Sequence, residues 1–193
     1  NFCIFMRFFI ALEIPKESIK ELEGVQAKLK QLIPQVRLTD PEKLHLTLSF
    51  IGEQPDNLQE KLAQIIQNAA KDISSFEITP AYIDGFPNIH KPHTIWIGVK
   101  GDIDKLLLIR ERIKDGLLNL NLNIDERRFT PHIAIAKISN LHIDQRTENL
   151  LAFFMTDNFD PFKISSVKLF ESIPEHNFHR HNTLAEIKLG GSR

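Results

Sequence analysis

Hydrophobic positions along the chain recur at two periods, about two and about 3.6 residues, and the switches between them divide it into strands and helices. Residues 7–14 (Arg-Phe-Phe-Ile-Ala-Leu-Glu-Ile) are dense in aromatic and β-branched side chains and predict a buried strand, which Pro15 ends. From 16 to 33, Ile19, Leu22, Val25, Leu29 and Leu32 recur at helical spacing between charges. Residues 36–39 read as a short extended piece, and Asp40-Pro41-Glu42 as a turn. A strand then runs through Phe50 and ends at Gly52. A second amphipathic helix is predicted over 55–72, with Asp56 as its N-cap. Strands follow at 76–86 and 94–100, with a loop at 87–92 between them, and a third helix at 102–119. The pattern continues with a strand at 127–137, a short helix at 143–149, a single strand at 162–172 and a last strand at 184–189 before a flexible tail.

Two of these strands resemble each other. His45-Leu46-Thr47-Leu48 and His132-Ile133-Ala134-Ile135 lie 87 residues apart. The same offset carries Ile10 onto Ile97 and Pro15 onto Asp102. Strand, helix and histidine strand therefore occur once in 7–50 and again in 94–137, which predicts one bilobal domain with an approximate two-fold axis. The expected class is α+β, with mainly antiparallel sheets flanked by helices and a central cleft. Because residues i and i+2 of a strand share a face, His45 and Thr47 point one way, as do His132 and Ala134.

Composition narrows the field. With 42% hydrophobic and 25% charged residues, the 193-residue chain can bury a sizeable core. A net charge of −1 argues against nucleic-acid binding by bulk charge, though not against a local basic groove. The single cysteine, Cys3, excludes an intrachain disulfide and a thiolate cluster and suits a reducing compartment. No apolar run reaches the ~20 residues of a membrane span, and residues 2–14 lack a secretory-signal layout. A cytoplasmic protein is expected, acting as a monomer without contact with membranes. Residues 1–5 precede Met6; they read equally as an upstream extension or as a cloning remnant and have no assigned role.

Paired histidines suit in-line displacement at phosphorus. One takes a proton from attacking water and the other protonates the departing oxygen. An ordinary imidazole pKa of about 6.5 makes both forms available near neutrality. A hydroxyl two residues on, on the same face, can donate to a phosphoryl oxygen. A single copy of such a strand more often carries a structural or surface histidine; two copies in equivalent register favour a shared site.

The flanking residues extend the pattern. The opening strand at 6–15, Pro41-Glu42-Lys43-Leu44-His45-Leu46-Thr47-Leu48-Ser49-Phe50-Ile51-Gly52-Glu53, Phe86-Pro87, Thr94-Ile95-Trp96-Ile97-Gly98-Val99, Arg128-Phe129-Thr130-Pro131-His132 and Val167-Lys168-Leu169-Phe170-Glu171-Ser172 together resemble the 2H phosphoesterase superfamily. Within it they resemble the LigT-like RNA 2′,3′-cyclic phosphodiesterases, once called 2′-5′ RNA ligases. The resemblance implies a bilobal 2H fold. It also implies metal-independent hydrolysis of RNA 2′,3′-cyclic phosphate ends, or of small cyclic nucleotides, to 2′-phosphates, with no cofactor and with 2′-5′ ligation as a possible side activity. It makes His45 the general acid, His132 the base, Thr47 a phosphate holder and Phe50 a base-stacking platform, and it places Lys137 where relatives carry a phosphate-contacting arginine.

Two departures stand out. Ala134 replaces the second hydroxyl, for which Thr130, two residues before His132, is a candidate substitute. Lys137 keeps the charge of an arginine but not its bidentate geometry. Strict alternation also puts Phe50 and Lys137 on the face away from the histidines, so each needs a bulge or curl to reach a substrate. Ala134 motivates an alternative, a non-catalytic or weakly active RNA-end-binding protein. His176, His179 and His181 motivate another, a metal-dependent hydrolase, although that stretch reads as a solvated loop. Trp96 reads as core, His90, Lys91 and His93 as loop residues near the cleft mouth, and Arg127 and Arg128 as surface or phosphate contacts; His142 has no assigned role.

Overall fold

The computed structural model of the chain describes residues 2–125 and 127–190. Residues 1, 126 and 191–193 lie outside them, and with 191–193 most of the stretch expected to be a flexible tail. The strands are β1 (Phe5–Glu13), β2 (Arg37–Leu38), β3 (His45–Pro55), β4 (Phe76–Phe86), β5 (Thr94–Gly101), β6 (His132–Lys137), β7 (Phe162–Ile164), β8 (Ser166–Glu175) and β9 (Phe178–Lys188). The helices are α1 (Lys16–Leu32), α2 (Gln59–Ala70), α3 (Ile103–Asn119) and α4 (Gln145–Phe154). All nine strands join one sheet in the order β7-β4-β5-β6-β3-β1-β8-β9, with β2 beside β6. The named strand pairs are antiparallel. Among the described residues no helix is long and apolar enough to cross a membrane.

The strand predicted at 162–172 is two strands. β7 pairs with β4 and β8 pairs with β1, far apart in the sheet order, with only Ser165 between them. So short a link requires the two ends of the order to approach each other, and the sheet curls into a half-barrel. An isolated bridge between Ser74 and Gly190 spans the same closure. Alternation alone could not show the break, because the apolar period runs through it.

Three other expectations change. The stretch holding His176, His179 and His181 is only partly a loop: His176 lies in the turn after β8, but Phe178 to His181 begin β9, so the last strand starts six residues earlier than predicted. Its side chains are mostly exposed, which hides the strand from a hydrophobic pattern. The second histidine strand begins at His132 rather than 127, directly after Pro131, which has no N–H to donate to a ladder. Asp56 sits in a short 3₁₀ turn ahead of α2 and does not cap it.

Side chains on the convex face form the main core. Phe8, Ile10 and Leu12 of β1, Leu46 and Leu48 of β3, and Ile133 and Ile135 of β6 are all buried, as are Leu22 and Leu29 of α1 and Ile109 and Ile113 of α3. Each such side chain contributes roughly 1.5–3 kcal/mol by leaving water. The concave face has a smaller buried cluster, Phe9, Ala11 and Phe170. The helices cross over: α1 packs near β6 and α3 near β3. The strand–helix–histidine-strand units of the sequence thus interlock at the middle of the sheet.

Candidate active site

β3 and β6 meet at one pair, Leu46 opposite Ile133. One residue to either side, antiparallel geometry sets Thr47 opposite His132 and His45 opposite Ala134, all on the concave face. His45 and Thr47 therefore share a strand but not a corner of the site. The hydroxyl of Thr47 belongs beside His132. The missing hydroxyl, at Ala134, is missing beside His45.

Both imidazoles are held alike. His45 Nδ1 donates to the Lys43 carbonyl at 2.7 Å, and His132 Nδ1 donates to the Thr130 carbonyl at 2.8 Å. A carbonyl can only accept, so Nδ1 carries the proton and Nε2 is left as the basic nitrogen of each neutral ring. Burial holds both rings below the ordinary imidazole value, against the raising effect of those carbonyls. Charge on His132 further opposes protonation of His45, and Lys137 opposes protonation of His132.

The face problem of Phe50 and Lys137 is solved twice in the same way. Along β1 and β3, Ala11 faces Thr47 but Ile10 faces Ser49, so Leu48 is an extra residue. Along β5 and β6, Trp96 faces Ala134 but Ile95 faces Ala136, so Ile135 is an extra residue. Leu48 and Ile135 are themselves 87 residues apart. Each bulge inverts the alternation and returns the residue two places on to the concave side. Phe50 then lies opposite Phe9 and lines the cleft, and Lys137 lies opposite Thr94, its Nζ donating to Thr94 Oγ1 at 2.8 Å. Gln26 of α1, 2% exposed, supports the second bulge by donating to the carbonyls of Ile135 (2.9 Å) and Thr39 (2.8 Å).

Thr130 lines the cleft, but from a segment outside β6, and its carbonyl is what touches His132. Its place as a strand neighbour of His132 does not hold, because β6 starts at His132 itself. The cleft, about 760 Å³, is lined by Thr47, Phe50, Phe86, His93, Arg110 and His132, with Arg127 and Arg128 on the same wall as Thr130. His90 instead turns towards α4, 3.6 Å from Glu148. A concavity of about 970 Å³ between α2 and β9 contains none of the histidines.

Pattern reading missed two groups of side chains. Beside His132 stands an aromatic wall: Phe86 packs edge-on against its ring at 4.8 Å, with Trp96 at 5.6 Å and Tyr82 against Trp96 at 5.7 Å. Trp96 is buried as expected for core, but on the concave face, and its Nε1 has no hydrogen-bond partner among the described residues. Gly98, opposite His132, makes room for this wall, since a Cβ there would come within 2.1 Å of the Tyr82 ring. The alternation of Tyr82, Asp84 and Phe86 was the available signal.

The second group surrounds His45. His181 packs against it at 5.3 Å, nearly perpendicular, and against Phe9 at 4.9 Å. Lys43 ties the hairpin down by donating to the His179 carbonyl at 2.7 Å. Burial pushes His181 down to about 4, and charge on His45, Lys43 and His179 adds to this. Glu13, opposite His45 in β1, is paired with Lys168. Among the described residues no three of His, Cys, Asp and Glu form a metal-ligand set, so the C-terminal histidines do not gather as one.

A family model described as the 2′-5′ RNA ligase superfamily matches residues 14–172. The RNA 2′,3′-cyclic phosphodiesterase of Methanocaldococcus jannaschii is 29% identical over 86% of this chain and 91% of its own length. The protein of the same name from Aquifex aeolicus is 24% identical over 97% of both. A crystal structure of a Thermus thermophilus protein superposes with a TM-score of 0.77 at 20% identity, covering 97% of this chain and all of that one. Escherichia coli LigT, solved with 3′-AMP, superposes with a TM-score of 0.75 at 18% identity, covering 96% of this chain and 99% of that one.

Proposed function

The chain belongs to the 2′-5′ RNA ligase superfamily, and we propose that it hydrolyses RNA 2′,3′-cyclic phosphate ends to 2′-phosphates with two histidines and no metal. The observation that carries the reading is the matched pair of imidazoles on adjoining strands, each tied at Nδ1 to a main-chain carbonyl. His132 Nε2 takes a proton from water as the water oxygen attacks phosphorus. The bond from phosphorus to O3′ breaks, and His45, protonated at Nε2, gives that proton to O3′. Neighbouring Lys137 favours the neutral, basic form of His132. A bound phosphodiester adds negative charge between the rings and favours the protonated form of His45. Thr47 and Lys137 hold the non-bridging oxygens, with Thr130 at the rim, and Phe50 stacks on the base.

The chain is proposed to work as one domain with repeat units 7–50 and 94–137. It would be monomeric and cytoplasmic, with RNA ends or small cyclic nucleotides as substrates and no cofactor. Joining 2′-5′ ends would be the same displacement with a 5′-hydroxyl in place of water: its oxygen bonds to phosphorus as His132 takes its proton, the bond from phosphorus to O3′ breaks, and O3′ takes the proton from His45.

Incubating a short RNA 2′,3′-cyclic phosphate with EDTA, then separating 2′- from 3′-phosphate products, tests the reading. The 2′-phosphate is expected, with turnover falling at least ~100-fold in both His45→Ala and His132→Ala. Because both rings sit below 6.5, kcat/KM should follow a bell with its maximum on the acid side of that value. Full activity in both variants would overturn the mechanism. A second reading rests on Ala134, which leaves the His45 corner without a hydroxyl: an end-binding protein with little turnover. Tight binding of cyclic-phosphate RNA with no product would favour it.

A further inference from the structure

Of the paired histidines, His132 lines the cleft with Thr47 and Phe50, while His45 is enclosed beside it by Phe9 and His181; the rest of the cleft is built differently. Beyond Thr47, β3 has no partner strand on the β6 side, because β6 begins at His132. Ile124 and Phe129 line the opening there, with Arg127 and Arg128. Arg110 reaches the same cleft from α3. It is only 7% exposed, an unusual position for a cation. Its guanidinium carbon lies 5.1 Å from the centre of the Phe129 ring, and its buried Nε has no hydrogen-bond partner among the described residues. Two carboxylates act on it through charge, Glu111 and then Asp125, but neither hydrogen-bonds to it among the described residues, and Asp125 already accepts from Arg127 Nε and Nη2.

A buried guanidinium nitrogen with no hydrogen-bond partner among the described residues is costly, and an anion's oxygen would complete it. Burial lowers its pKa, yet an arginine keeps its proton in a protein. The cleft of about 760 Å³ lies in the range of sites that enclose a sizeable ligand. On the hydrolysis reading the cyclic phosphate sits between the imidazoles and the base against Phe50, which leaves the Arg110 end of the cleft for the 5′ side of the nucleoside.

We infer that Arg110 forms a subsite for a second phosphate, the one on the 5′ side of the terminal nucleoside, so that the cleft selects RNA 3′ ends over lone cyclic nucleotides. The inference rests on the hydrolysis reading for where the first phosphate sits, but it can be tested by binding alone. A base edge such as guanine O6 and N7 could also accept from an arginine. It would leave the charge uncompensated, which is why the phosphate is preferred.

The experiment is titration calorimetry of the full chain with the 2′-monophosphates and 2′,5′-bisphosphates of adenosine and guanosine, alongside turnover of a short RNA ending in a 2′,3′-cyclic phosphate. The bisphosphate is expected to bind about tenfold tighter or more, a charge-assisted hydrogen bond's worth. Arg110→Met should reduce that ratio to near one, and Arg110→Lys should keep part of it. Equal affinities in the unmodified protein would overturn the subsite, even if the substitutions prevent folding. So would an unchanged ratio in Arg110→Met. A preference for guanosine over adenosine that ignores the 5′-phosphate and disappears in Arg110→Met would assign Arg110 to the base edge instead. Turnover with equal affinities sinks the subsite alone; a retained ratio without turnover sinks hydrolysis alone.

Discussion

His181 is the residue whose chemistry depends most on its surroundings. In the fold it sits near 4, against an ordinary imidazole value of 6.5. Between those limits the unfolded chain binds a proton that the folded chain excludes. Its contribution to stability is therefore complete above about pH 6.5 and is lost as pH falls towards about 4. His45 and His132, also lowered, act with the same sign. Urea unfolding at pH 7 and pH 5 should show a smaller loss for His181→Phe than for the unmodified protein, because phenylalanine can pack against Phe9 and Phe170 without titrating. An equal loss would mean that His181 is not excluded from protonation. Ala134 is the other telling residue. Its position opposite His45 predicts that Ala134→Thr adds a donor at the His45 corner and, on the proposed mechanism, raises kcat about tenfold or more. An unchanged kcat would show that this corner does not limit the reaction.

At the level of elements, the two bulges decide what the histidine strands present. Without the extra residues at Leu48 and Ile135, Phe50 and Lys137 would face the core side. The second bulge depends on Gln26, whose amide satisfies the Ile135 and Thr39 carbonyls from within α1. Gln26→Leu keeps a similar volume but leaves the Thr39 carbonyl without this donor; Ile135 retains only the Thr39 N–H at 2.9 Å. A loss of about 1–3 kcal/mol in urea unfolding is expected, and an unchanged midpoint would show that water replaces the amide. Most of the site's strand placement was legible in the histidine repeat, since alternation and the 87-residue offset are both read directly along the chain. The bulges were legible only as a requirement. β6's late start and the C-terminal hairpin were not legible, because Phe178 to His181 carry no buried alternation and are held by pairing with β8 and by Lys43.

Across the whole molecule, the curl of the sheet brings distant segments to one concave face. A single residue between β7 and β8 forces it, and the site inherits its shape: β4 and β5 supply the aromatic wall beside His132, while β1, β8 and β9 enclose His45. The sequence by itself determined the helices and most strands, the α+β class, the two histidine strands and their equivalence, because each follows from periodicity within a short window. Tertiary structure alone decided which hydroxyl stands beside which histidine, since that is a matter of register between β3 and β6. It also decided that His181 joins His45 and that a helix arginine reaches the cleft. Those contacts join segments far apart along the chain, and only the packing of the curled sheet on its helices fixes their separation and burial.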